Sequence, residues 1–210
     1  MLELKKPYPS VQNDHSESYG GNQMLSDKAM IRRCGCGAVA ALDLLHYLTG
    51  EASIPLARYN EELTGVCRRY LPLIPGRGIN GLELAFGVSR MLREKRLPYH
   101  ALWVFSGAKL FERIREMLEN DLPVILSIGP NFPRLWEKEK LRFYTRTADG
   151  RYLPAARARS HYVTVTGMDE QWLQIASWGR KYYISREEYA AFVKEYSSYL
   201  FSNLLYLKGL

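Results

Sequence analysis

The chain is short of several things, and each shortage narrows what it can be. Its 210 residues include only three cysteines. An odd, small number does not suggest a disulfide framework and points to a reducing compartment. No apolar run is long enough to span a bilayer. The opening MLELKKPYPSV has two lysines with no apolar segment after them, so no secretory signal is visible. The simplest expectation is a soluble protein of bacterial cytoplasm. No Gly-rich phosphate loop occurs, so no nucleotide is expected. There is no recognition-helix or zinc-finger spacing and no aromatic RNA-binding signature. The net charge of +7 therefore reads as a solvated basic surface. Neither nucleic acid nor membrane is expected as a partner, and no feature fixes an oligomeric state. A structural zinc site needs about four ligands. Beyond Cys34 and Cys36 only Cys67 and four histidines remain, none at a partner spacing, and no cofactor is expected.

What is present is enough for a core. The hydrophobic fraction is 47% and the aromatic fraction 12%, which argues against disorder. The length fits one domain or two tightly packed lobes. Residues 1–22 are polar and turn-rich and read as an N-terminal arm. From 23 to 210 the expectation is one domain, helical to about 97 and sheet-forming from about 98.

The periodicity predicts helices over 36–48, within IPLARYNEELTGVCRRYL, over NGLELAFGVSRMLREK and over KLFERIREMLEN. Gly50 is placed to stop the first. LPVILSIG reads as a short central strand. Residues 130–159 carry weak signals and are expected to be loops. HYVTVTG is a strand and WLQIASWGRKYYI a strand or strand pair. SREEYAAFVKEYSSYL is a helix with Ser185 and Glu188 as a capping box, and NLLYLKG closes as a strand. Helices first and strands later predict an α+β fold.

The chemistry is concentrated in RRCGCGAVAAL, residues 32–42. Its thiols could pack, hold metal or react. A thiol attacks only as thiolate, and a helix N-terminus stabilises negative charge. Cys36 stands where the apolar periodicity begins. Gly35 and Gly37 would leave room for a substrate backbone. Cys34 is the lesser choice, and Cys67 in GVCRRY reads as a core residue.

A second group lies in SHYVTVTGMDEQWLQIASWG, residues 160–179. A hairpin turn centred on Asp169-Glu170 would set His161 opposite Trp178, with His161, Ala176 and Trp178 on one face. A three- or five-residue loop would bring Ser177 beside His161 instead. His161, opening its strand, is a candidate general base. His46, His100 and His15 pair with no cysteine. Asn80-Gly81-Leu82-Glu83 either lines a cleft or caps a helix.

Together these segments carry a resemblance. CGAVAALDLLHYL resembles the start of the central helix of papain-like cysteine peptidases, above all the branch of the bacteriocin-leader peptidases. HYVTVTG is similar to that branch's histidine strand, and SWG to the Trp-Gly that follows the family's third catalytic residue. The resemblance touches residues from about 23 to 185. It implies a papain-like fold, a Cys-bearing helix packed on an antiparallel sheet, with Cys36 as nucleophile and His161 as base. It implies a thiolate–imidazolium pair, an oxyanion donor from the Cys36 N–H and a second from an upstream glutamine. Gln23 is the candidate for that glutamine and Gln12 the lesser one. The substrate would be a peptide or protein. The family's Asn or Asp falls on Ala176, which cannot orient a histidine. Ser177 or a backbone carbonyl would have to serve. Asp169 lies at the far end of the strand, about 25 Å from His161 at 3.3 Å per residue. The departure keeps two other readings open: a degenerate module that binds peptides without cleaving them, and an acyl or amide transferase.

Overall fold

The apolar run after Cys36 determines how the rest of the chain is arranged. The computed structural model describes residues 1–13 and 16–210. His15 lies outside them. Along the chain run strands β1 (Leu2–Glu3), β2 (Ser10–Asn13) and β3 (Ser16–Glu17), a 3-10 turn (Gln23–Leu25), helices α1 (Ala29–Cys34) and α2 (Cys36–Thr49), and strand β4 (Ser53–Pro55). Helices α3 (Leu56–Arg69) and α4 (Gly81–Glu94), strand β5 (Tyr99–Trp103), helix α5 (Leu110–Glu119) and strand β6 (Val124–Ile128) follow. The chain ends with strands β7 (Leu141–Arg146), β8 (Tyr152–Ala158), β9 (His161–Met168), β10 (Trp172–Ser177) and β11 (Arg180–Ser185), helix α6 (Arg186–Tyr196) and strand β12 (Leu204–Gly209).

Helix α2 is buried on every side. Each residue from Gly37 to Tyr47 is inside, not only the single face that the periodicity marks. Such a helix belongs to a core and not to a surface. Gly50, left-handed at φ 76°, closes it by donating to the Tyr47 carbonyl. Helix α2 lies against β9 and packs beside α3 and α4.

The sheet beneath it has the order β5-β12-β6-β9-β10-β11-β7-β8, with every neighbouring pair antiparallel. Strand β6 is buried throughout and lies between β12 and β9, as its unbroken apolar run predicts. The architecture is α+β, a Cys-bearing helix on an antiparallel sheet. Among the described residues no helix is long and apolar enough to cross a membrane.

One expectation needs correction, and two elements add to the reading. Residues 130–159 are not all loop. They hold the β7–β8 hairpin, in which Leu141 and Phe143 point inward while most of β8, with Pro154, stays exposed at the sheet edge. An edge strand needs little apolar sequence, so its signal is weak. The first 22 residues hold paired strands: β1 pairs with β9 at Leu2↔Met168, and β2 runs parallel to β4. Helix α1 is a six-residue element that the periodicity did not mark.

The helix caps follow the sequence with one change. Asn80 forms a full capping box with Glu83 on α4. Ser185 caps α6 by accepting from the Glu188 N–H, but the Glu188 carboxylate accepts from the Tyr144 hydroxyl at 2.6 Å. Asn80→Ala is expected to lower unfolding stability by about 1 kcal/mol with an unchanged denaturant slope. A urea titration checks this, and an unmoved midpoint would show that the box contributes nothing.

Candidate active site

Cys36 is the first residue of α2, with Gly35 as N-cap and the Gly35 carbonyl accepting from the Val39 N–H at 2.9 Å. The two flanking glycines are not open to a substrate. A Cβ on Gly35 would strike the Ile31 carbonyl, and one on Gly37 would press on the Tyr162 ring at 3.1 Å. Their smallness serves the joint between α1 and α2 and the contact with β9.

A small pocket of about 10 Å³ brings together residues from four parts of the chain: Cys36, His161, Ser177 and Gln23 all line it. That volume holds about one water. Cys34 ends α1 and is not among the lining residues. Cys67 sits half-buried on α3, its thiol pushed up to about 12 by burial.

His161 opens β9 and is buried. Its Nε2 meets Ser177 Oγ at 2.8 Å, and its ring stacks on Trp178 with centroids 4.5 Å apart and planes at 19°. The register explains why Ser177 is the partner. Strands β9 and β10 pair Leu173 with Met168 and Gln174 with Gly167, so the turn lies further along than Asp169-Glu170. A bulge between Gln174 and Ile175 then shifts the pairing to Ile175↔Val165 and Ala176↔Thr164. One extra residue reverses which side chains share a face. Ser177 thereby joins His161's face. Of the two outcomes the sequence left open, Ser177 beside His161 is the one observed, and the facing of His161 with Ala176 does not occur. Ala176 packs with Tyr8 and Tyr47.

Trp178 reaches the imidazole by another route. It and Gly179 form the two-residue turn between β10 and β11, with φ of 49° and 72°. Two-residue hairpin turns of this hand need positive φ, which is unfavourable for a bulky side chain. Ser160, directly before His161, is also left-handed at φ 49°. Strained backbone thus flanks both members of the His161–Ser177 pair, a clustering typical of functional sites.

Burial dominates the electrostatics. It pushes the Cys36 thiol up, against the backbone N–H groups of Tyr162, Gly37 and Cys36 itself. It pushes the imidazole of His161 down to about 4. Both shifts favour the neutral forms of thiol and imidazole. The preformed ion pair implied by the family resemblance is opposed by desolvation of both partners.

Gln23 is buried in the short turn that Asn22 caps, and its Nε2 donates to the Arg32 carbonyl at 2.9 Å. One amide hydrogen is used there, and one remains. The segment before it is tightly held. Tyr19 N–H donates to the Gly179 carbonyl at 2.9 Å, and Gly179 N–H donates to the Gly21 carbonyl at 3.0 Å. Gly21 N–H donates to Asp43, 2.9 Å from Oδ2. Gln12 is exposed on β2, opposite Glu17. Asp169 holds the β9–β10 turn by accepting from the N–H groups of Gln171 and Trp172. His46 and His100 lie elsewhere, and neither lines the pocket.

Asp43 is the residue that the sequence reading missed. It stands two turns below Cys36 on α2, is buried, and lines the same pocket. The Tyr59 hydroxyl donates to it at 2.7 Å and the Tyr8 hydroxyl at 3.4 Å. Burial raises its carboxyl from 3.8 to about 7, while the Tyr59, Gly21 and Tyr8 donors pull it down. The available signal was its isolation: it is the one acidic residue in the fourteen of α2.

No protein-family model and no curated protein matches the chain. Among solved structures, a Bacillus anthracis protein described as a C39-like peptidase is similar at 14% identity. The match covers 90% of this chain and 94% of that one, with a TM-score of 0.48.

The two buried groups predict opposed pH dependences. Between pH 6.5 and about 4 the unfolded chain protonates His161 and the folded chain does not. That contribution is complete above 6.5 and is lost as pH falls. Between 3.8 and about 7 the folded chain keeps a proton on Asp43 that the unfolded chain releases. That contribution is lost as pH rises. Each slope is at most about 1.4 kcal/mol per pH unit, and over pH 4.5–6.5 they offset each other. Urea midpoints are expected to rise with pH in Asp43→Asn and to fall with pH in His161→Gln. Parallel profiles in both variants would refute this.

Proposed function

We propose that the chain is a papain-like cysteine peptidase or a related amide hydrolase acting on peptide-like substrates. The observation that carries it is the shared pocket: a thiol at the N-terminus of a buried helix, and a buried histidine whose Nε2 is held by Ser177.

The chemistry follows from the neutral pair. With Nε2 engaged by Ser177, Nδ1 is the nitrogen left to take the thiol proton. Sγ attacks the substrate carbonyl as its proton passes to Nδ1, so His161 acts as general base during attack. The oxyanion accepts from the Cys36 N–H and the remaining Nε2 hydrogen of Gln23. The imidazolium then gives its proton to the departing amine. A water, deprotonated by His161, cleaves the thioester and returns the thiol. Ser177 takes the orienting place that Ala176 cannot fill.

A second reading has its own support. A pocket with room for about one water, holding a pair kept neutral, suits a module that grips a peptide without cutting it. The test is acylation by p-nitrophenyl acetate, with peptide mapping by mass spectrometry. The expected adduct is on Cys36, with the rate falling about 10²–10⁴-fold in His161→Ala and less in Ser177→Ala. Because His161 stays neutral down to about pH 4, the acidic limb is expected near 4 and not near 6.5. Adducts on Cys34 or Cys67, or a rate indifferent to His161→Ala, would sink the hydrolase. Peptides that bind to the intact protein and emerge uncleaved would then favour the binding module.

A further inference from the structure

Helices α2, α3 and α4 enclose a second cavity, of about 260 Å³, at the opposite end of α2 from Cys36. Its floor is apolar: Leu42, Leu45, Val66 and Met91. Its charges are divided between two ends. Glu51 and Glu62 stand at one, bridged by Arg58. Arg69 and Lys95 stand at the other, where Arg69 also pairs with Glu94 at 3.1 Å. Along α3, Arg69 lies two turns beyond Glu62, about 10 Å of helix rise.

Two features mark the cavity as more than a packing gap. His46 lines it and is only 4% exposed. Its Nδ1 meets Glu51 at 3.0 Å, and its Nε2 lies 2.8 Å from Glu62, a close polar contact without hydrogen-bond geometry. The buried imidazole thereby draws both carboxylates to one end of the cavity. Gly65 is the second feature. It sits inside α3, where glycine is unfavourable relative to alanine. No heavy atom within 4 Å of a Cβ position demands it. The open space above it is the cavity itself.

We propose that this cavity is a second site, receiving a short zwitterionic peptide of two or three apolar residues. Its ammonium would lie at Glu51 and Glu62 and its carboxylate at Arg69 and Lys95. Its side chains would rest on the apolar floor between. Two or three extended residues span about 7–10 Å, matching the separation of the charged ends. A metal ion suits the cluster poorly, since Glu51 and Glu62 meet opposite nitrogens of His46 and do not converge. The site stands whether or not Cys36 cleaves amides.

The test uses Cys36→Ala protein, which cannot turn peptides over, and calorimetric titration with alanyl-leucine. Binding at one site per chain in about the millimolar range or tighter is expected. N-acetyl-alanyl-leucine lacks the ammonium and alanyl-leucinamide lacks the carboxylate. Each is expected to bind at least about tenfold more weakly. Gly65→Leu, a helix former placed in open space, should abolish binding without lowering the melting temperature. Should that variant fail to fold, Lys95→Glu reverses the basic end and should weaken alanyl-leucine by a similar factor. Absence of saturable binding, equal binding of the blocked peptides, or binding that survives either variant would overturn the proposal. None of these outcomes bears on acylation at Cys36.

Discussion

A single buried carboxylate ties the site together. Asp43 takes hydrogen bonds from a backbone N–H at Gly21 and from hydroxyls on Tyr59 and Tyr8. Those donors come from the N-terminal segment and from α3. Removing a carboxyl group from water is costly, and several donors are needed to offset it. The arrangement admits little variation. A Cβ on Gly21 would collide with the Tyr59 hydroxyl, and one on Gly20 would press on Asp43 itself. From Gly21 the hydrogen bonds continue to Gly179, beside Trp178, and Trp178 stacks on His161. Helix α2 therefore holds both Cys36 and the anchor that places Gln23 and the imidazole's neighbour.

The same dryness that makes Asp43 decisive shapes the reactive pair. Burial disfavours the charged forms of both thiol and imidazole, raising the one and lowering the other. Under the proposed hydrolase function, alignment would carry the chemistry, because the proton would have to move while the carbon–sulfur bond forms. The structure holds the imidazole through the Ser177 hydrogen bond and the Trp178 stack, with left-handed residues beside His161 and Ser177.

Legibility in the sequence tracked the range of the interactions. Helix α2, the α4 cap and the buried run of β6 are written in neighbours three or four residues apart, or in one unbroken apolar stretch. That Cys36 and His161 each open an element was legible for a related reason, since the period of each element is plain. The partner of His161 was offered as Ser177 in one of two registers, and the choice between them was not legible. A bulge depends on how two strands meet, and one residue of slip changes Ala176 for Ser177. Asp43 was hidden because its donors lie at residues 8, 21 and 59. The β7–β8 hairpin was hidden because an edge strand buries little.

The topology also sets an order of events. Strand β1 is hydrogen-bonded to β9, and α2 lies on β9 as well. On a ribosome the first strand and the cysteine helix emerge long before the residues that cover them. Contacts of such long sequence separation form slowly, and apolar surface stays exposed meanwhile. A pocket whose walls come from residues 21 to 43 and from 161 to 178 cannot close on a partly made chain. Whatever reactivity the thiol acquires from its setting, it acquires only after synthesis has passed the last of those walls.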